Sequence, residues 1–402
     1  ASRNAKLEEG KRNALTVRRE CKPLGDARKG SPGFPSGKKT ENMKERYAVI
    51  MAGGVGSRFW PVSQAALPKQ FIDMLGTGKT LLQTTFERFA KVVPESNILI
   101  ATNQSYRDVV LQQLPNLKEH QLILEPIMRN TAPCIAYATH KIKQLSANAT
   151  IVVAPADHLI LDTERFVENV HEALDCAERH DWLLTLGIKP SRPDTGYGYI
   201  QYGRKSSVPN VRKVKTFTEK PNLELATTFL QSGDFLWNSG IFIWSADAII
   251  KALDTYETEM NEIFTEGAGV YNTPNEQRFI ANAFVRCGNI SIDFAIMEKA
   301  ENVYVLPVDF GWSDLGTWSS VYEASQKDYL GNVTNTDAKV MVYDSSNCMV
   351  HTPKDRLVIL KGLHNFIVVE SHNVLMICPK DQEQSVKQMV ADVKEKFGTD
   401  YA

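Results

Sequence analysis

From Tyr47 onward the chain alternates short apolar runs with Gly-rich or polar turns and amphipathic stretches, and this rhythm restricts the fold more than any other feature. Short apolar runs followed by helix-length amphipathic segments are the pattern of a parallel sheet covered by helices. Strands are expected over 47–51, 97–102, 121–124, 150–154, 182–187 and 241–244. Helices are expected over 80–92, 105–114, 131–145, 163–179 and 223–231. Segments 199–202 and 211–218 read as β excursions, which makes the sheet mixed. The fold class is therefore α/β, a Rossmann-like, mostly parallel sheet flanked by helices.

Beyond about residue 330 the helical pattern gives way to closely spaced strands over 340–343, 348–351, 356–361, 366–371 and 374–377. Their spacing suits a few coils of a short left-handed β-helix, closed by an amphipathic helix over 381–397. The chain thus divides into residues 1–43, an α/β domain over 44–330 and a small β-rich domain over 331–402. Edge strands in the last unit need cover, which makes a homodimer through it or through the terminal helix the expected assembly. Residues 1–43 hold 11 Lys and Arg against 5 Asp and Glu, a local charge of +6, with a Gly/Pro/Ser-rich end. That composition is expected to be disordered. It reads as an upstream extension without a role rather than as a nucleic-acid arm, since Met43 immediately precedes the first strand.

Over the whole chain 46 Lys and Arg meet 47 Asp and Glu, a formal charge of -1, so no global field recruits nucleic acid or an anionic membrane. Any polyanion must be held locally. No stretch reaches the ~20 apolar residues of a membrane span, and the N-terminus lacks the apolar run of a signal peptide, so the cytoplasm is expected. The six cysteines are scattered without a CxxC, which argues against a zinc knuckle or a disulfide framework. They are expected to stay reduced, mostly as small core residues.

The first strand runs into Ala52-Gly53-Gly54-Val55-Gly56-Ser57-Arg58, a loop whose glycines let backbone N–H groups approach an anion. Phe59 breaks the dinucleotide fingerprint, and the GK[ST] ending of a P-loop is missing. Gly78-Lys79-Thr80 imitates that ending, but Asp73 stands where a P-loop needs glycine, so Thr80 reads as a helix cap. The loop continues through Arg58 to Pro68-Lys69-Gln70-Phe71. Two fixed cations so close in sequence to the glycines suit a triphosphate.

These residues, AGGVGSRFWPVS followed by LPKQF, resemble the signature of the sugar-1-phosphate nucleotidylyltransferases, most closely the mannose-1-phosphate guanylyltransferases. Further matches follow in the family's order: Glu125-Pro126 with Arg129-Asn130-Thr131-Ala132-Pro133, Pro155-Ala156-Asp157-His158, Gly196-Tyr197-Gly198-Tyr199-Ile200, Phe217-Thr218-Glu219-Lys220-Pro221, Trp237-Asn238-Ser239-Gly240-Ile241-Phe242 and Gly311-Trp312-Ser313-Asp314. They span about 47–318. The resemblance implies a transferase that moves GMP from GTP to α-mannose 1-phosphate, giving GDP-mannose and pyrophosphate. The same chemistry with another pair, such as glucose 1-phosphate with UTP or dTTP, or a catalytically silent nucleotide-sugar-binding subunit, are the rival readings. The chain ends soon after the β-rich unit, so the short, single-activity form is implied and an isomerase is not expected.

Joining two polyanions requires charge to be neutralised before the attacking oxygen reaches the α-phosphorus. A sugar phosphate oxygen is already ionised near neutral pH, so no general base is needed. Asp157 follows the apolar run 151–154, at the strand end where open α/β sheets gather ligands, and is the best Mg²⁺ ligand on sequence grounds. By resemblance Asp314 is the second. His158 is expected to pack or orient rather than act as a base. The resemblance also sets Arg58 and Lys69 on the triphosphate and Lys220 on the sugar phosphate. Gly198, Tyr199, Glu219, Asn238 and Gly240 then belong to the sugar pocket. The nucleotide falls to Ala52, Gly53, Gly54, Gly56, Ser57, Glu125, Arg129, Asn130, Thr131 and Pro155, with Arg129-Asn130-Thr131 near the base and ribose.

Overall fold

The computed structural model describes residues 45–54, 56–335 and 338–401; the basic extension over 1–43 lies outside the described residues. Among these, nine strands form one sheet in the order β3-β2-β1-β4-β9-β6-β10-β8-β7. Its first half, β1 (Arg46–Met51), β2 (Ile98–Asn103), β3 (Leu122–Glu125) and β4 (Thr150–Pro155), is parallel throughout. β9 (Phe235–Ser245) then runs antiparallel between β4 and β6 (Leu183–Ile188). β10 (Val303–Val308) is parallel to β6, and the excursion strands β7 (Tyr199–Lys205) and β8 (Arg212–Thr218) form the antiparallel far edge.

Residues of β1 alternate between two cores. Tyr47 and Val49 pack with Ile151, Tyr137 and Phe264 on one face, whereas Ala48 and Ile50 pack with Val152, Phe89 and Phe166 on the other. A strand buried on both faces must be apolar at every position, which is why 48–51 reads as an unbroken run. The covering helices include α1 (Leu81–Phe89), α2 (Arg107–Gln113), α3 (Thr131–Leu145), α4 (Thr163–Ala177) and α5 (Leu223–Ser232). Thr80 caps α1 through a capping box with Gln83, the role expected of it in place of a P-loop threonine.

The stretch between β9 and β10 had no expected elements. It carries α6 (Ala246–Tyr256), α7 (Thr258–Thr265), α8 (Glu276–Arg286) and a single π-helical turn, Asp293–Met297. A buried ion pair ties this helical patch to the sheet: Lys141 Nζ on α3 donates at 2.7 Å to both oxygens of Glu276, which also accepts from the Tyr137 hydroxyl and the Asn272 N–H.

In the C-terminal unit parallel pairs stack coil on coil, Val333 beside Met349 and Met349 beside Ile367 on one face, Val340 beside Val358 on another. This is a short β-helix. The expected terminal helix begins later than 381, because Lys380–Ser385 is a 3₁₀ turn and the closing helix, α10 here with the short helix after Asp314 as α9 (Trp318–Ala324), spans Val386–Phe397. The unit shares one apolar core with the larger domain: Val386, Val390 and Ile367 pack with Phe59, Trp60, Leu315 and Trp318. Cys134, Cys176, Cys287, Cys348 and Cys378 are buried free thiols. No helix among the described residues is long and apolar enough to cross a membrane.

Candidate active site

The glycine loop leaves β1 at the carboxyl end of the parallel half, and two buried polar side chains fix its path. Gln70 Nε2 donates to the Ala52 and Gly54 oxygens at 3.0 and 2.9 Å, and Thr102 Oγ1 donates to Ala52 O at 2.8 Å. Gly56 adopts φ 64°, and a Cβ there would lie 2.8 Å from Lys69 Cβ, so only glycine fits. Arg58 follows in a 3₁₀ turn (Ser57–Phe59) and lines a cleft of about 880 Å³ together with Tyr197, Lys220, Trp237, Trp312 and Asp314.

Lys69 does not reach into that cleft. It is buried, and its ammonium donates at 2.9 Å to the backbone oxygens of Asp314 and Leu315 while lying 2.9 Å from Asp157 Oδ2. One side chain therefore binds together the two aspartates that sequence reasoning paired. Burial pushes the Asp157 carboxyl up, but the Lys69 ammonium and then His158 outweigh it and hold the group below the usual carboxylate range. Asp314 Oδ1 accepts from the Tyr197 hydroxyl at 2.8 Å and the Gly316 N–H at 2.9 Å.

His158 turns its Nδ1 to the Trp312 indole N–H at 3.2 Å, which puts the proton of the neutral ring on Nε2, 3.9 Å from Asp157 Oδ1. Burial lowers its pKa. It stands beside Asp157 as an orienting neighbour, in keeping with the sequence reading.

Whether the site suits a divalent cation follows from its donors. Asp157 and Asp314 offer hard carboxylates, one lysine holding the Asp157 carboxylate and the Asp314 backbone oxygen, and among the described residues no group of three or more His, Cys, Asp or Glu could complete a protein cage. A small oxyphilic cation that takes one or two carboxylates and leaves its other positions to phosphate and water fits such a set.

At the base end, Glu125 terminates β3 with its Oε2 3.6 Å from the Cβ position of Gly53. Burial pushes its pKa up to about 7, the Cys134 thiol being a hydrogen-bond partner. Asn130 sits at φ 66° and caps α3, its side-chain oxygen accepting from Thr131 N at 2.9 Å. Thr131 Oγ1 accepts from Ile292 N, and Arg129 Nε donates to Phe284 O, so this loop is seated on the helical patch after β9.

At the other end, Lys220 holds φ 48° ahead of Pro221, exposed on the cleft wall and ion-paired to Glu219. Such backbone strain concentrates where a side chain must be aimed. The Glu219 carboxylate lies so close to Gly198 that any Cβ there would collide with it. Asn238 joins the same group through its N–H to Gly198 O at 2.8 Å, and Gly240 N donates to Asn238 Oδ1 at 3.1 Å. A Cβ on Gly240, which sits at φ 68°, would lie 3.5 Å from Pro155 Cγ, so this end abuts the Asp157 loop. Tyr199, expected in the sugar pocket, is instead fully buried, its hydroxyl accepting from Asp194 N. Its neighbour Tyr197 faces the cleft.

Four buried polar atoms without a protein partner among the described residues fall on this site: Arg58 Nε, Glu125 Oε1, Glu219 Oε2 and Trp237 Nε1. Such atoms are rare in native folds and mark places where a ligand supplies the missing bonds. Sequence reasoning missed the roles of Gln70, Tyr197 and Asp293. Gln70 stood inside a quoted motif with no assigned function, Tyr197 was expected only as part of the 196–199 loop walling the sugar pocket and not as a partner of Asp314, and Asp293, whose Oδ1 accepts from Asn238 Nδ2 at 2.9 Å, lay in a stretch with no recognised pattern.

Two family models match the chain: nucleotidyl transferase over 47–330 and a mannose-phosphate isomerase/GMP-like β-helix domain over 338–393. The mannose-1-phosphate guanylyltransferase of Salmonella montevideo is 38% identical over 353 residues, covering 86% of this chain and 73% of that one. The alginate biosynthesis protein AlgA of Pseudomonas putida is 38% identical, with 88% and 72% covered. A Thermus thermophilus structure named mannose-1-phosphate geranyltransferase superposes with a TM-score of 0.78 at 29% identity, covering 87% of this chain and 99% of that one.

Proposed function

The chain belongs to the nucleotidyl transferase family, and from that premise we propose that it transfers GMP from GTP to α-D-mannose 1-phosphate, giving GDP-mannose and pyrophosphate. The observation that carries this reading is the set of unpartnered polar atoms spread along one site: a guanidinium nitrogen beside the glycine loop, a carboxylate at the base end and another at the sugar end. They match a nucleoside triphosphate laid along the strand ends with a sugar phosphate beside it.

In this reading Arg58 and the N–H groups of Gly53, Gly54, Gly56 and Ser57 hold the triphosphate, and Lys220 holds the phosphate of the sugar. The attacking phosphate oxygen forms a bond to the α-phosphorus in line with the departing bridge oxygen, whose bond breaks to release pyrophosphate with inversion. No proton has to be removed, which agrees with a neutral His158 turned to Trp312. Positioning and charge neutralisation supply the catalysis. A divalent cation, Mg²⁺ in this proposal, would be held by Asp157 and Asp314 and would neutralise charge developing on the phosphates. Lys69 holds the Asp157 carboxylate and the Asp314 backbone oxygen and adds a fixed positive charge to the same region.

At the base end the ionised Glu125 accepts from two neighbouring donors, and guanine alone among the common bases offers N1–H beside N2–H₂ on one edge. Asn130 and Thr131 border the ribose. At the sugar end Glu219 and Asn238 meet ring hydroxyls. We keep in this proposal catalysis in 44–330, a cytoplasmic location and a homodimer. The exposed outward side chains Met341, Tyr343, Leu357 and Ile359 of the β-helix support the dimer, and a monomeric mass in solution would remove it.

Pyrophosphate release with Mg²⁺, crossing GTP, ATP, UTP and dTTP against mannose, glucose, galactose and fucose 1-phosphates, tests the reading. The expected maximum is GTP with mannose 1-phosphate. Another best pair would overturn the specificity, and no release from folded protein would leave a silent binding subunit.

A further inference from the structure

Asp293 sits at the first position of the single π-helical turn, half-buried, in a segment that matches none of the site motifs. π turns are rare and cluster at functional sites, because the extra residue re-aims a side chain that a regular helix would point elsewhere. Here the re-aimed group is a carboxylate, and it is directed to Asn238, a residue of the proposed sugar pocket. Asn238 Nδ2 donates to its Oδ1 at 2.9 Å, while the Asn238 backbone N–H holds Gly198. Glu219 lies against Gly198 with Oε2 buried and unpartnered. Two carboxylates thus converge on a joined pair of residues, Asp293 on the Asn238 amide and Glu219 on Gly198, whose oxygen the Asn238 N–H holds.

Such a pair is unfavourable without a ligand. Burial and then the negative charge of Glu219 push the Asp293 pKa up to about 6, with the Asn238 amide and Lys220 acting the other way. Lys220 is already paired to Glu219, so it does not neutralise both. What these acceptors lack is neutral O–H donors, presented close together and at fixed angles. A sugar ring carries them, and an ionised phosphate does not. Thr131 Oγ1, held by Ile292 N, and Ala132 N, donating to Ile290 O at 3.1 Å, fix the segment just before Asp293 onto the start of α3. The carboxylate is thereby anchored on the same loop that borders the nucleotide.

We propose that Asp293 is a sugar-binding and specificity-determining residue of the site, accepting a hydrogen bond from one ring hydroxyl of the sugar 1-phosphate while Glu219 accepts from another. The inference rests on the proposed function and deepens it by naming the part of the acceptor substrate that the π turn reads.

The test uses the isosteric Asp293→Asn variant and wild type, with mannose 1-phosphate and its 2-, 3-, 4- and 6-deoxy analogues. For the parent substrate KM rises about 10- to 100-fold in the variant, the range for losing a hydrogen bond to a charged group, while KM for GTP stays unchanged. One deoxy analogue raises KM in wild type and produces no further rise in Asp293→Asn; the others act equally on both proteins. That coincidence separates direct contact from a structural effect, which would add to every analogue alike. An unchanged KM for mannose 1-phosphate, an equal rise in KM for GTP, or full additivity for all four analogues would overturn the assignment. Wild-type protein that turns over GTP only with a different sugar phosphate would remove the mannose reading, and the same cycle run on that sugar then decides Asp293 independently.

Discussion

Lys69 Nζ stands 2.9 Å from Asp157 Oδ2 and at the same time binds the backbone oxygens of Asp314 and Leu315. Two acidic loops that are remote in sequence are thus held by one buried cation, and the loop after Asp314 accepts a strained backbone, Leu315 at φ 44°, to bring its carbonyl there.

Replacing Lys69 by Met should therefore do more than weaken substrate binding. Removing one partner of a buried pair leaves an uncompensated charge and costs about 3–5 kcal/mol. A lowered denaturant midpoint together with lost turnover is expected. Near-normal stability with a raised KM for GTP alone would place Lys69 on the triphosphate and contradict its clamping role.

Asp314→Asn keeps the volume and the Tyr197 contact but removes the negative charge. We expect turnover to fall by about 10²- to 10³-fold, the scale for deleting one preorganised electrostatic group, with melting behaviour preserved. Wild-type turnover over a Mg²⁺ titration would sink the metal assignment.

Glu125 couples specificity to stability. Its folded pKa of about 7 lies above the ordinary carboxyl value, so the protonated form is favoured by folding. Its contribution is fully present below about pH 4.5 and is lost as pH rises through about 7, by an amount on the order of 3 kcal/mol. Glu125→Gln should accordingly stabilise the ligand-free protein at pH 8 and have little effect at pH 4.5, while lowering kcat/KM for GTP about 10- to 100-fold. Chemical denaturation at the two pH values reads the first effect. A variant less stable at pH 8 would refute the account.

Lys141→Met tests the helical patch behind the nucleotide loop. Glu276 would keep the Tyr137 and Asn272 donors but lose its buried cation, and a loss of about 3–5 kcal/mol is expected. Replacing both residues with apolar partners should recover much of it, and a double-mutant cycle measures how much.

The β-helix unit reaches the site through Glu383, whose Oε2 accepts from Ser319 N at 2.8 Å at the start of α9, the helix that follows Asp314. Glu383→Gln retains an acceptor and should be mild. Glu383→Ala frees that N–H and should raise the Mg²⁺ concentration for half-maximal rate more than it raises KM for either substrate. An unaltered metal response would show that the contact only joins the two domains.

Much of the site was legible because its residues obey local rules. An all-apolar β1 announces burial on both faces, and Gly56 stands where Lys69 and Ser63 leave no room for a side chain. Thr80 caps its helix in the ordinary way, extended and accepting from Gln83 N, so its position followed from short-range chemistry, whereas Asn130 caps α3 from a left-handed φ of 66°. What could not be read were directions and long-range partners. Lys69 lies in a basic flank whose sequence says nothing about inward or outward, and the fold turns its ammonium onto three protein acceptors. Tyr197 and Tyr199 stand two residues apart, so one continuous strand would turn both to the same face; Tyr197 precedes β7, and that break lets it meet Asp314 while Tyr199 enters the core. Asp293 was invisible for a different reason: a π turn has no periodic signature, and its meaning comes entirely from Asn238 and Glu219 across the cleft.

The apolar core shared by Phe59 and Trp60 with Val386 and Val390 also orders events during synthesis. The glycine loop leaves the ribosome early, and of the side chains that seat its two aromatics Met74 and Leu81 follow closely, Leu315 and Trp318 much later, and Val386 and Val390 later still. Until those last two arrive, the apolar seat of Phe59 and Trp60 is open on one side. Ribosome-stalled chains, extended beyond residue 402 by a linker, should protect that loop from protease most fully once α10 has cleared the exit tunnel.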